Sequence, residues 1–216
     1  KFKTIMIRNI VFGGCSYTWG QSLHHFNGNG SPTPEQSGAT FYGDDLKYWE
    51  YQKNVNRRFS TRVGDYFCRK PIVQIDNGGG TSSICEHIYK SVNEFTDLIF
   101  VQTTNFSRNH FYSPNLASVE SQIQLYEELI EYSCEKNIPI IFIHWDWPEG
   151  FEIPTSIKSQ TIKIDDKYTF YHWTQDERYR VNKADHHFNL PAHKKLSKII
   201  IKYIETHNIL KKYIYE

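Results

Sequence analysis

The chain has 216 residues, 39% of them hydrophobic and 23% charged, which suits one folded core and excludes a disordered chain. Twenty-five Lys+Arg against 24 Asp+Glu leave a formal charge of +1, so no general basic field invites nucleic acid. No apolar run reaches the roughly 20 residues that span a bilayer, and no basic-then-apolar leader opens the sequence, so neither a membrane nor a nucleic-acid partner is expected.

Residues 5–13 (IMIRNIVFG) are β-branched and apolar and predict a first strand that breaks at Gly13-Gly14. Residues 21–50 lack a sustained period and are rich in Gly, Ser, Pro and Asp. They read as an insertion, part helical or a lid over a site, within a single domain spanning 1–216. Phe59, Val63 and Phe67 are spaced by four and predict an amphipathic helix of about three turns. PIVQI (71–75) is a second strand, DNGGG (76–80) a turn, and TSSICEHIYKSVNEF a helix that opens on hydroxyl capping residues. DLIFVQT (97–103) is a third strand. Residues 116–137 form the clearest helical pattern, carried by Val119, Ile123, Tyr126, Leu129 and Ile130. IIFIHW after Pro139 is a fourth strand, residues 148–180 predict one further strand or a short hairpin, and 191–207 form a last helix with Pro191 near its first turn.

Strands alternating with helices predict a three-layer α/β/α sandwich. Continuous apolar strands suit a mostly parallel sheet covered on both faces. In such folds ligands bind beyond the C-terminal ends of the strands. The segments that follow the strands are GGCSYTWG, DNGGGTSS, TTNFSRN and HWDWPEG, all polar or glycine-rich, and ADHHFN precedes the last helix.

Ser16 follows the first strand and a Gly-Gly pair. A serine at a tight strand-to-helix turn can present its hydroxyl, although on this segment alone a helix-capping serine is the commoner outcome. A serine hydroxyl needs a base to attack. Asp185, His186 and His187 supply an imidazole and a carboxylate that could hold its tautomer, and an isolated DHH also fits a solvated loop or half a metal site.

Together these motifs resemble the SGNH/GDSL hydrolase family, over residues 8–20, 72–106 and 184–198. Gly14-Cys15-Ser16 in FGGCSYTWG resembles the Gly-Asp-Ser block, with Cys15 in the place of Asp, and is similar to a divergent FGxCSxTxG branch. NGGGTSS resembles the second block, with Gly80 as its glycine and Asn77 upstream. Thr103-Thr104-Asn105 keeps only the Asn of the third block, and DHHFNLPAH resembles the last, with His187-Phe188-Asn189 for His-Pro-Asn. Asp185 stands two residues before His187, where the family usually has three, and His193 matches a later family histidine. The resemblance implies a flavodoxin-like sheet and a serine hydrolase with Ser16 as nucleophile, His187 as base and Asp185 as its orienting carboxylate. It implies an oxyanion hole from the Ser16 and Gly80 N–H groups and the Asn105 amide, a substrate-binding Arg108, and no metal or organic cofactor.

Other readings of the same residues are a Cys15 nucleophile, a metal site drawn from His24, His25, His144, His186 or His187, and a non-catalytic carbohydrate-binding or structural module on the same fold. NGGGTSS lacks the Lys of a phosphate loop. Tyr17, Trp19, Trp145 and Trp147 follow strands one and four. They either rim a pocket suited to sugar rings or acyl chains, or pack the 21–50 insertion. The expected substrate is a small-molecule or glycan ester, with a short-chain or O-acetyl ester on a carbohydrate as the leading choice. Cys15, Cys68, Cys85 and Cys134 form no CxxC pair, and a core of this size needs no disulfide. Reduced cysteines and a cytoplasmic setting are therefore the expectation.

Overall fold

A computed structural model of the chain describes residues 7–15, 18, 56–74, 80–106, 118–181 and 187–210. Four strands, β1 (Asn9–Gly13), β2 (Lys70–Val73), β3 (Thr96–Thr103) and β4 (Ile140–His144), form a parallel sheet in the order β2-β1-β3-β4. The helices between and after them are α1 (Phe59–Tyr66), α2 (Thr81–Ser91), α3 (Val119–Glu135), the short α4 (Thr155–Lys158) and α5 (Tyr171–Gln175), and α6 (Leu190–Thr206). None of the helices among the described residues is long and apolar enough to cross a membrane.

Alternation along each strand divides the core into two layers, because successive side chains of a strand point to opposite faces. Ile10, Phe12, Leu98, Phe100, Ile141 and Ile143 pack with Phe59 and Val63 of α1 and Leu196, Ile200 and Ile204 of α6. Val11, Ile99, Val101, Ile140 and Phe142 pack on the other face with Ile84 and Ile88 of α2 and Tyr126 and Leu129 of α3. Both faces are covered, so β1, β3 and β4 are buried along their length apart from Asp97, as their continuous apolar sequences require. Phe12, Phe59 and Phe100 meet at ring-centroid distances of 5.4–6.2 Å, and each is worth about 1.5–3 kcal/mol by burial.

The step from β1 to β2 runs one way across the sheet with α1 on one face. The steps to β3 and β4 run the other way with α2 and α3 on the opposite face. Reversal of direction together with face keeps one crossover hand, and the result is the flavodoxin-like three-layer arrangement. The reversal lies between β1 and β3, so the C-terminal ends of those two strands form the switch point where such sheets bind ligands.

Several local expectations change. The first strand starts at Asn9 rather than residue 5: Ile7 is 64% exposed and Arg8 turns to an ion pair with Asp97. The helix around Phe59 has 8 residues, short of three turns, because Cys68 enters the left-handed region (φ 55°) and Arg69 N–H closes on Gly64 O at 2.8 Å. A hydroxyl does not cap α2. Gly80 is its N-cap, and Thr81, already inside the helix, turns its hydroxyl to Gln122. Residues 148–180 form no full strand or hairpin, only isolated bridges such as Phe142 to Thr161 and His144 to Thr169 beside β4, with α4 before them and α5 after them. Pro71 sits within β2, which its edge position tolerates.

Candidate functional site

The turn after β1 is held from three sides. The Thr18 N–H donates to Cys15 O at 2.8 Å. Thr18 Oγ1 donates to Gln102 Oε1 at 2.6 Å, and Gln102 Nε2 donates to Cys15 Sγ at 3.0 Å. One buried amide at the end of β3 thus clamps both flanks of the segment that contains Ser16 and Tyr17. Gln74, at the end of β2, accepts from the Gly14 N–H at 3.0 Å and donates to Ser83 Oγ on α2 at 2.9 Å. A Cβ on Gly14 would stand 2.0 Å from Thr18 Oγ1, so close approach of the returning turn demands glycine there. Cys15 is fully buried with its thiol toward the core, which disfavours it as the attacking group.

Gly80 and Asn105 are drawn together by α3. Gln122 accepts from Thr81 Oγ1 at 3.0 Å and donates to Phe106 O at 2.8 Å. Tyr126 donates to Thr81 Oγ1 at 3.3 Å and also bonds the Thr104 backbone. The residues that flank the two expected oxyanion-hole positions are therefore tied to the same two side chains. Gly80 has φ −82° and ψ −179°, ordinary extended backbone, so a special dihedral is not the reason for glycine. Its N–H meets no hydrogen-bond acceptor among the described residues. Asn105 is half-buried just beyond β3. Beside it, Thr104 Oγ1 is buried with no hydrogen-bond partner among the described residues.

His144 ends β4 in a closed network. Thr161 Oγ1 donates to Ile157 O at 2.8 Å, so the 3.0 Å contact from His144 Nε2 to Thr161 is donated by the imidazole. Nδ1 then accepts from Thr103 Oγ1 at 3.1 Å. Burial holds the ring neutral, lowering its pKa to about 3. With both nitrogens used, His144 serves the fold and is withdrawn from the possible metal ligands. Among the described residues no cluster of three or more His, Cys, Asp or Glu is placed to hold a metal.

His187 lies buried at the entry to α6, and its carbonyl accepts from the Val181 N–H at 2.8 Å. Asn189 caps that helix: its Oδ1 accepts from the Ala192 N–H at 3.0 Å, and its Nδ2 donates to the carbonyls of Arg178 and Arg180. His193, one turn into α6, accepts through Nδ1 from the Phe59 N–H at 3.2 Å, which couples the start of α6 to the start of α1. Its pKa falls to about 3 through burial, with the positive charges of Arg62 and Arg58 adding to the shift. Ser60, next to Phe59, donates to Thr18 O at 3.2 Å. A continuous path, Cys15 to Thr18 to Ser60-Phe59 to His193, thus joins the flanks of Ser16 to the segment of His187.

Of the expected site residues, Gly80, Asn105, His187 and Trp145 are described, and all four follow the C-terminal end of a strand or enter α6 at that same end of the sheet. Ser16, Tyr17, Trp19, Arg108, Asp185, His186 and the 21–50 insertion lie outside the described residues. Trp145 packs toward Tyr171 at 6.4 Å. Trp147 packs edge-on to Phe106 at 5.1 Å and His144 at 4.9 Å, so it braces the interior. Sequence reasoning missed Gln74, Gln102, Thr18 and Arg58. Both glutamines carried a signal, a lone amide at the end of an apolar strand (IVQ and IFVQ). Comparison with known proteins finds no matching family model, curated protein or solved structure.

Proposed function

We propose that the chain is a serine esterase of the SGNH/GDSL type that cleaves a short-chain or O-acetyl ester on a carbohydrate through an acyl-enzyme. The supporting observation is the hydrogen-bonded path from Cys15 and Thr18 through Ser60 and Phe59 to His193, in the first turn of the helix that follows His187. It joins the described neighbours of the first motif, Cys15 and Thr18, to the first turn of α6, which follows the last motif, at the end of the sheet where such folds bind ligands.

In the proposed reaction Ser16 Oγ attacks the ester carbonyl carbon while His187 takes its proton. The oxyanion is met by the N–H groups of Ser16 and Gly80 and by the Asn105 amide, each such donor being worth about 2.7–4 kcal/mol in the transition state. The alcohol leaves with the proton from His187. Water then attacks the acyl carbon, gives its proton to His187, and the serine is regenerated as the acid departs. Asp185 holds the imidazole in the tautomer that the first step needs. The two glutamines support such a mechanism by holding Gly14, Cys15 and Thr18, on either side of the proposed nucleophile, before substrate arrives.

An acyl-chain-length series of chromogenic esters, run beside acetate release from acetylated polysaccharides, tests this reading. The expected outcome is turnover that is greatest for acetyl and falls with chain length. Absence of turnover on every ester by folded protein would overturn it.

A further inference from the structure

Arg58 stands immediately before α1, at the ligand end of the sheet, and is only 7% exposed. Its Nε donates to Thr61 Oγ1 at 2.9 Å, and its Nη1 is buried with no hydrogen-bond partner among the described residues. No carboxylate among the described residues pairs with it, whereas the neighbouring Arg62 has Asp65 as a compensating charge. An uncompensated buried cation is strongly unfavourable and calls for an anion. The second observation is His193, which is fully buried. Its Nδ1 accepts from the Phe59 N–H, so its Nε2 carries the proton, and that Nε2 has no partner among the described residues either. Two orphaned donors, one charged and one neutral, therefore lie at the start of α1, where the helix dipole also favours negative charge.

We infer that Arg58 and His193 form a subsite for a carboxylate group, so that the molecule bound at this end of the sheet is an acidic one. One cation balances one negative charge, and two N–H donors match two carboxylate oxygens, whereas a dianionic phosphate with three oxygens would be left under-compensated. The subsite belongs to the proposed hydrolase pocket and rests on that reading only in taking its occupant to be a substrate.

Thermal melting of the full chain at neutral pH, titrated with sodium glucuronate against sodium chloride at equal ionic strength, tests it. The wild type should rise saturably, by about 3–6 °C at ten times the dissociation constant, and Arg58→Gln should not respond. Without carboxylate, Arg58→Gln should melt no lower than the wild type, since an unpaired buried charge has gone. An equal rise in both proteins, no rise in either, or a larger rise with sodium phosphate would overturn the assignment. So would an Arg58→Gln that melts well below a non-responding wild type, because a carboxylate of the chain itself would then be the partner. If Arg58→Gln does not fold, Arg58→Lys decides. It keeps the charge without the fork, so it should respond more weakly than wild type, and an undiminished response would count against the subsite. Melting requires no turnover. A protein that responds to glucuronate yet cleaves no ester keeps the subsite and loses the hydrolase, and the converse result does the reverse.

Discussion

At the end of the sheet where the strands begin, Arg69 buries its guanidinium against Asp97 and donates to Phe67 O at 2.8 Å. Arg8 reaches the same carboxylate from the other side. The register shift between Asn9 and Ile10 leaves Asp97 as the extra residue of β3, which presents it to both arginines. At the end where the strands finish, Arg58 is buried as deeply, yet only Thr61 is paired with its side chain among the described residues. Two of the buried histidines at that end, His144 and His193, divide in the same way. His144 has both ring nitrogens occupied, and His193 has one. A buried polar group whose partners are complete is explained by the fold. One left incomplete beside a topological switch point calls for a ligand.

The contrast implies that substitutions of the expected site residues at the finishing end should act on chemistry and those at the beginning end on stability. The largest effect is expected at His187. His187→Ala should lower kcat/KM by about 10²–10⁴-fold, as for a positioned base, while His186→Ala loses far less. The reverse order in measured kcat/KM would move the base to His186. Asn105→Ala should lower kcat by about 10²–10³-fold with KM nearly unchanged, since its contact to the oxyanion forms only in the transition state. An unchanged kcat with a lowered melting point would instead make Asn105 a turn residue.

At the other end, Asp97→Ala should leave kcat/KM near the wild-type value and cost about 3–5 kcal/mol in urea unfolding, because it strands Arg69 in the interior. A loss of activity without a loss of stability would erase the distinction between the two ends. Near that end a cavity of about 400 Å³ is lined by Arg8, Glu94, Tyr132 and Lys136 among others, so ester turnover that responds to substitutions there would have the same consequence.

The smallest effect is on the acid limb. His144 and His193 titrate near 6.5 when unfolded and near 3 when folded, so the unfolded chain binds more protons between those values. Their contribution is complete above about pH 6.5 and is lost as pH falls toward 3, by about 1.4 kcal/mol per pH unit for each ring. His144→Gln should reduce that slope, measured by urea unfolding between pH 6 and 4, by about one ring's share. A slope unchanged by the substitution would contradict the neutral assignment of His144.

Much of the architecture was legible because the strands are apolar throughout and the helices carry their period. The first and third strands end at Gly13 and Thr103, where the sequence pattern puts them, whereas β2 stops at Val73, before the expected Gln74, and β4 at His144, before the expected Trp145. What was not legible depends on long-range partners. The first strand begins late because Arg8 is drawn to Asp97, 89 residues away in sequence. The hydroxyls of Thr81 and Thr161 look like local caps or loop residues, and they serve Gln122 and His144 instead. Arg58 lies in NVNRRFS, the polar start of the amphipathic pattern around Phe59, and nothing local marks that it is buried near His193. Conversely, Asn189 was singled out through a family motif, and its position is explained by capping α6 and tethering the carbonyls of Arg178 and Arg180.

The most direct test of the account is intact-mass analysis of the full chain after treatment with a fluorophosphonate, on the wild type, Ser16→Ala and Cys15→Ala. A serine nucleophile assisted by His187 predicts a single adduct on the wild type and on Cys15→Ala, and none on Ser16→Ala. An adduct that persists in Ser16→Ala, or one that disappears only in Cys15→Ala, would contradict it.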